Sequence, residues 1–265
     1  MELMETLTVD DVELVAAVND FRILEQCLKS SPDVRDGRVT LTLIQGETRP
    51  GKAFNDVLDA SASRLIVIVH QDVYLPASFV PRLLDEINRL AEVDPDWGVI
   101  GCIGADEDGV VHGKIWASSV QAEVGNKCTS PTRVESLDEV LLVLQGGTAV
   151  RFDEGLPSFH LYATDLVQSA KQAGRSSYVV PIQVVHHSKR LADLGGGYRT
   201  AYRYCQRKWA HVLPVPTLFG GLRRGMAHLL VADLRIRRAN GWRRARPEPV
   251  GNPAQIARDL GYEAP

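Results

Sequence analysis

Apolar positions along the chain fall into short runs separated by polar and glycine clusters. Glu13 to Val18 predicts a short buried strand ending at Asn19-Asp20. Ile23, Leu24, Cys27 and Leu28 recur at helical spacing, and Ser30-Ser31-Pro32 is expected to stop that helix. Val39 to Ile44 predicts a second strand ending in Gln45-Gly46, and Ala53 to Ala60 a helix after Pro50-Gly51. Arg64 to Val69 holds an unbroken β-branched run, as in a central strand covered on both faces, and stops abruptly at His70-Gln71-Asp72. Ser78 is placed to cap a helix with Phe79, Leu83 and Ile87 on one face, and Trp97 to Ile103 reads as a further strand. This alternation predicts an α/β fold around a mostly parallel sheet.

Beyond Ala105 the pattern is less regular. Glu135 to Leu144 is apolar around Leu137-Asp138-Glu139 and fits strand or helix. Tyr162 to Ala173 reads as a helix stopped by Gly174, and Ser177 to Val185 as a strand ending at His186-His187-Ser188. Gly195-Gly196-Gly197 reads as a loop or tight turn before an amphipathic helix from Tyr198 to Ala210. No internal repeat or separate second domain is visible. After Pro216 the chain turns Arg-rich, with a helical stretch from Met226 to Arg238.

The chain has 265 residues, 45% of them hydrophobic, enough for a sizeable core. Its net charge of −3 gives no global basic field, so nucleic acid is not an expected partner. Cys27, Cys102, Cys128 and Cys205 form no CxxC pair; reduced thiols in a cytoplasmic protein are expected rather than a zinc site or a disulfide framework. Met1 to Asp11 is acidic and lacks the apolar core of a secretory peptide, and no apolar run is long enough for a membrane span. The expectation is a soluble protein, at most membrane-peripheral.

In an open parallel sheet, ligands bind beyond the carboxyl ends of the strands. Those ends carry Asn19-Asp20, Gln45-Gly46, His70-Gln71-Asp72 and His186-His187. Asp72, anchored by a stiff apolar strand, can hold a divalent cation against a diphosphate, or can simply close a turn. Successive strand side chains diverge, so only one of His186 and His187 is expected to reach such a site. Asp165, near a helix N-terminus, can serve the helix dipole or deprotonate an acceptor hydroxyl.

The run Leu65 to Val73, Phe159-His160-Leu161-Tyr162 with Asp165-Leu166, Gly174 and His186-His187-Ser188 resembles glycosyltransferase family 2 and its glycosyltransferase-like relatives. Asn55, Val134 to Asp138, Phe152-Asp153-Glu154 and Lys208-Trp209 match further segments, in order, over about Glu13 to Pro214. The resemblance implies a GT-A fold. It assigns residues 1–216 to one catalytic domain, with a nucleotide-binding half (about 1–105) and an acceptor half (about 106–216), and leaves residues 217–265 as an Arg-rich helical tail. It implies a metal-dependent transfer from a nucleoside-diphosphate sugar, a UDP-sugar being favoured, to a sugar or lipid-linked acceptor. Asn19, Gln45, Asn55, Gln71 and Asp72 would bind the donor, and Asp138 the acceptor. Asp72 and His186 would hold Mn2+ or Mg2+, with His187 as the fallback ligand. The family's Asp-x-Asp motif falls on His70-Gln71-Asp72, so its first acid is His70 here.

Two departures matter. The family's acidic loop after the second strand reads Gln45-Gly46-Glu47-Thr48, and its usual base position is Ala163. Asp165, or alternatively His160, is then expected to act as the base; the competing reading is an inactive protein that binds nucleotide sugars. A nucleotidyltransferase is disfavoured, because no Gly-rich phosphate loop with a following Lys opens the chain. The Arg-rich tail offers either a helix packed on the domain or a contact with an anionic membrane surface.

Overall fold

The computed structural model of the protein describes residues 6–188, 194, 197–218, 220–243 and 251–263. Gly195 and Gly196 of the expected glycine loop, and Arg244 and Arg246 of the tail, lie outside them. In chain order the elements are β1 Val12–Val18, α1 Phe21–Gln26, α2 Pro32–Arg35, β2 Thr40–Gln45, α3 Pro50–Ala60, β3 Leu65–Val69, β4 Val73–Tyr74, α4 Phe79–Ala91, β5 Ile100–Gly101, β6 Gly104–Ala105, β7 Val111–Ala117, β8 Ala122–Asn126, β9 Thr132–Val134, β10 Ser136–Leu137, β11 Leu141–Gln145, α5 Tyr162–Gln172, β12 Ser177–Val179, β13 Val185–His186, α6 Gly197–Lys208, α7 Ala227–Arg243 and α8 Pro253–Asp259.

Two sheets organise the chain. The larger runs β2-β1-β3-β11-β5-β12-β9 and the smaller β10-β6-β7-β13-β4, with β8 on β7. In the larger sheet β2, β1, β3, β5 and β12 point one way and β11 and β9 the other. This is the α/β architecture expected from the strand-helix alternation: five of the seven strands of the larger sheet share one direction, although three of its six pairings are antiparallel because β11 and β9 run against the rest.

The continuous apolar run of β3 is explained by its place in the sheet. Ile66 and Ile68 face one core with Phe54, Leu142, Leu144 and Leu166. Leu65, Val67 and Val69 face the other with Leu14, Leu24, Leu83 and Ile87. Side-chain alternation on a strand covered on both faces requires every position to be apolar.

Several boundaries differ from the sequence reading. The first helix ends at Gln26, and Pro32 opens α2 rather than closing α1, because proline fits a first helical turn. Ser78 precedes α4 in a left-handed conformation and makes no side-chain cap. Glu135 to Leu144 is neither one strand nor a helix but β10, a turn and β11. The run Ser177 to Val185 is split: β12 stays in the large sheet, the chain leaves it around Pro181, and β13 joins the small sheet. Gly174, with φ at +79°, does stop α5 as expected.

The segment after residue 216 packs on the body. Leu222 and Leu229 enter the first core. The C-terminal residues Ala257 and Tyr262 form a third apolar cluster with Tyr74 of β4 and Val185 of β13. Among the described residues no helix is long and apolar enough to cross a membrane, and the four cysteines are buried and unpaired.

Candidate active site

The chain turns sharply after β3. The backbone N–H of His70 donates to the Val140 carbonyl (3.1 Å), and that of Val73 to the His70 carbonyl (3.1 Å). His70-Gln71-Asp72 therefore links the two sheets. From the other side β13 pairs antiparallel with β4, so that His186 lies opposite Val73, next to Asp72. The His187 N–H donates to the Asp72 carbonyl at 2.7 Å and closes the arrangement.

Three side chains converge there. His186 Nε2 lies 3.3 Å from Asp72 Oδ1, and His70 Nδ1 lies 3.9 Å from the same oxygen. One donor atom from each of His70, Asp72 and His186 fits within 4.8 Å of the others. The His187 ring instead approaches the Ser118 hydroxyl (3.4 Å), diverging from His186 as strand alternation requires. Burial pushes the Asp72 carboxyl up, but His186 and His70 outweigh it and hold the group well below the usual carboxylate range. Burial lowers the His70 pKa, whereas at His186 the Asp72 charge overcomes burial and raises it.

Tyr162 supports this cluster, a role the sequence reading missed. Its hydroxyl donates to the Glu139 carbonyl (3.2 Å) and lies 3.3 Å from His70 Nε2. A hydroxyl that donates to Glu139 can accept from His70 Nε2, which would leave the Nδ1 lone pair free for a cation beside Asp72. Such an outer hydrogen bond fixes tautomer and ring orientation at metal-binding histidines. Two imidazole nitrogens and one carboxylate oxygen on an open cleft suit a manganese-like cation better than magnesium, which prefers oxygen ligands.

The cleft has a volume of about 260 Å³ and is lined by Asn19, Ile44, Glu47, His70, Gln71 and Asp72, with Phe54, Phe159 and Tyr162 as aromatic walls. Gln71 bonds to the end of β1: its Oε1 accepts from the Asn19 and Asp20 N–H groups (3.0 Å each), and its amide donates to Asn19 Oδ1 (2.5 Å).

Other expected site residues lie elsewhere. Gln45 is exposed, and its neighbour Ile44 takes the cleft-facing position because adjacent strand residues point oppositely. Asn55 is buried on α3, where its amide pairs with the N–H and carbonyl of Phe152 (3.0 Å each). It fixes the 152–154 loop and is not among the cleft residues. Asp138 accepts from the Val140 N–H (3.1 Å) and helps shape the turn between β10 and β11.

Asp165 is the most deeply buried of the expected site residues. It is 1% exposed, and its carboxylate accepts from Lys208 Nζ (2.9 Å) and Trp209 Nε1 (2.7 Å). Lys208 also reaches Asp153 Oδ2 (2.6 Å), which accepts from the Tyr204 hydroxyl (2.9 Å). Asp153, Asp165 and Lys208-Trp209 thus meet in one partly buried network tying α5 to α6, and none of them is among the cleft residues. His160 is half-buried against the Tyr198 ring, and burial lowers its pKa. Ala163 is fully buried, leaving no acid in the first turn of α5 before Asp165. Glu139, which sequence reasoning passed over as part of an ambiguous segment, accepts from the Tyr162 hydroxyl through its backbone carbonyl (3.2 Å). Burial, then the neighbouring Asp138 charge, pushes its carboxyl up to about 8.

Residues 13–192 match the profile of a family described as a glycosyltransferase-like family. The chain is 27% identical over 160 residues to the Fuscovulum blasticum protein named ATP synthase subunits region ORF 6, over 57% of this chain and 64% of that one. It thus spans just under two thirds of that relative's length. Among solved structures it is similar to the mannosyltransferase PcManGT from Pyrobaculum calidifontis in complex with GDP-Man and Mn2+ (TM-score 0.44, 16% identity, 95% of this chain and 79% of that one). It is also similar to S. aureus TarS 1–349 in complex with UDP-GlcNAc (TM-score 0.46, 13% identity, 89% of this chain and 76% of that one).

Proposed function

The chain belongs to the glycosyltransferase-like family, and we propose that it transfers a sugar from a nucleoside-diphosphate donor on a GT-A-type scaffold with the help of a divalent cation. The convergence of His186 with His70 and Asp72, the latter two lining the cleft beyond β3, carries this reading. Those three residues would hold the cation, manganese fitting the donor set better than magnesium. Bound there, it would neutralise the charge that grows on the diphosphate leaving group. Asn19, Glu47 and Gln71 line the cleft and would contact the donor, and Phe54, Phe159 and Tyr162, its aromatic walls, would keep water from it. A UDP-sugar remains the favoured donor.

We assign acceptor activation to Glu139, whose backbone carbonyl accepts from the Tyr162 hydroxyl at the cleft wall, with His160 as the alternative, in place of the expected Asp165, whose carboxylate is taken up by Lys208 and Trp209. A general base works best when its pKa lies near the operating pH, and Glu139, at about 8, meets that condition. Asp138 adjoins it and remains the proposed acceptor contact. The second reading, a protein that binds nucleotide sugars without transfer, is favoured by Ala163 and by the altered loop Gln45-Gly46-Glu47-Thr48. Incubating the protein with UDP- and GDP-sugars and Mn2+ separates the two. Metal-dependent hydrolysis of one donor, with water in the acceptor's place, supports the enzyme. Tight binding of an intact donor, with no hydrolysis and no transfer to any sugar or lipid-linked acceptor, supports the binding protein.

A further inference from the structure

Helix α7 is apolar on two sides, and only one of them is used. Leu229 is fully buried in the first core, and Ala232 and Ile236 pack against it. Leu230, Val231 and Leu234 are 58%, 48% and 56% exposed. At about 100° per residue these three fall within one third of the helix circumference. Arg235 and Arg238, both exposed, sit on the same outward side.

The charge on this segment is one-sided. Leu222 to Arg246 contains eight arginines and a single acid, Asp233. Asp233 is 6% exposed and turned toward the body, where it accepts from the Leu194 N–H (2.7 Å) and pairs with Arg199 of α6. The one negative charge is therefore neutralised inside, and Arg223, Arg224, Arg235 and Arg238 are exposed without it. An exposed apolar stripe flanked by arginine is the pattern of a helix that lies in a membrane interface.

We propose that the outward face of α7, Leu230, Val231 and Leu234 set among Arg235 and Arg238, docks on an anionic phospholipid surface. The arginines would meet the headgroup charge while the three apolar side chains enter the headgroup boundary. Nucleic acid would satisfy the arginines but not the leucines. A second copy of this chain would satisfy the leucines but bring like charges together. Only an anionic lipid surface complements both. This inference rests on α7 and its packing, not on the donor site.

The test is co-sedimentation of the full chain with vesicles of phosphatidylcholine alone or containing phosphatidylglycerol. Binding is expected to the anionic vesicles only, and to fall steeply in high salt. Each basic side chain near such a surface is worth about fivefold in partitioning, so Arg235→Glu with Arg238→Glu should cost at least about twentyfold. Replacing Leu230, Val231 and Leu234 together by Ser should cost about tenfold or more. Because all five side chains are exposed, thermal unfolding should stay unchanged in both variants, which separates lost docking from lost folding. Three results would overturn the proposal. One is equal binding to neutral vesicles, or none to either. Another is self-association of the wild type that the Ser variant abolishes, which makes the face a dimer contact. The third is duplex DNA binding that the Ser variant retains, which makes it a nucleic-acid surface.

Discussion

Replacing Asp165 by Ala distinguishes a catalytic carboxylate from a structural one. The geometry makes it structural. Its oxygens serve Trp209 Nε1 and Lys208 Nζ in a region where Asp165 is 1% and Trp209 2% exposed. Removing the carboxylate leaves the indole N–H without an acceptor, a loss of about 1–3 kcal/mol. Breaking a fully buried ion pair costs about 3–5 kcal/mol. Lys208 keeps Asp153 at 2.6 Å and its side chain is 29% exposed, so its share lies well below that range. Together the expected destabilisation is about 3 kcal/mol for Asp165→Ala. For Asp165→Asn, whose amide oxygen can still accept from Trp209, it is about half as much. Urea unfolding followed by tryptophan fluorescence reads this as a midpoint shift of about 1 M, given a slope of about 3 kcal/mol per molar. Metal-dependent donor hydrolysis by the fraction still folded should remain within a few-fold of wild type. A destabilisation under about 1 kcal/mol, with turnover lost and donor affinity intact, would refute the structural assignment and restore Asp165 as the base.

Three further outcomes follow from the site. Glu139 should give kcat/KM a rise with pH through about 8, and Glu139→Gln should remove that limb and most of the activity, while His160→Ala keeps both. Because its folded pKa is raised from 4.5 to about 8, it contributes stability that is full below 4.5 and lost as pH rises through 8; in the metal-free protein, Glu139→Gln should flatten that decline in chemical unfolding. Tyr162→Phe removes the hydroxyl that orients His70 and should weaken Mn2+ binding about tenfold or more in calorimetry, with little change in nucleotide affinity without metal. Deleting residues 251–265 removes α8 and the turn after it, whose Ala257 and Tyr262 back Tyr74, two residues from Asp72, and Val185, which adjoins His186; it should lower Mn2+ affinity and melting temperature together, whereas Tyr262→Phe, which loses only the bond to Glu123, should leave the metal affinity unchanged.

How far the sequence revealed this arrangement depends on the kind of signal each element carries. The run Leu65 to Val69 was unambiguous because both faces of β3 are covered, and its abrupt polar end pointed to Asp72. The convergence of His70 with His186 was hidden, because a small sheet brings together residues 116 positions apart in sequence and no local pattern encodes that pairing. The strands around Cys102 and Pro181 looked continuous because both parts are apolar; only in three dimensions does the chain cross between sheets there. Asn55, Asp153, Asp165 and Lys208 stand out as polar residues in recognisable motifs, yet their side chains bond to one another or to neighbouring backbone as a scaffold, with Asn55 and Asp165 buried. Glu139 carried no motif at all, and its neighbours Tyr162 and Asp138 define it only once the fold is formed.

The central claim is that the triad holds the cation that couples to the diphosphate. Calorimetric titration of UDP and of GDP into wild-type, Asp72→Asn, His186→Ala and His187→Ala proteins, each with and without Mn2+, tests it most directly. The account predicts that Mn2+ strengthens binding of one nucleotide to the wild type and to His187→Ala, and that the gain disappears in Asp72→Asn and His186→Ala while their folded spectra persist. An equal gain in all four proteins, or one lost only in His187→Ala, would contradict it.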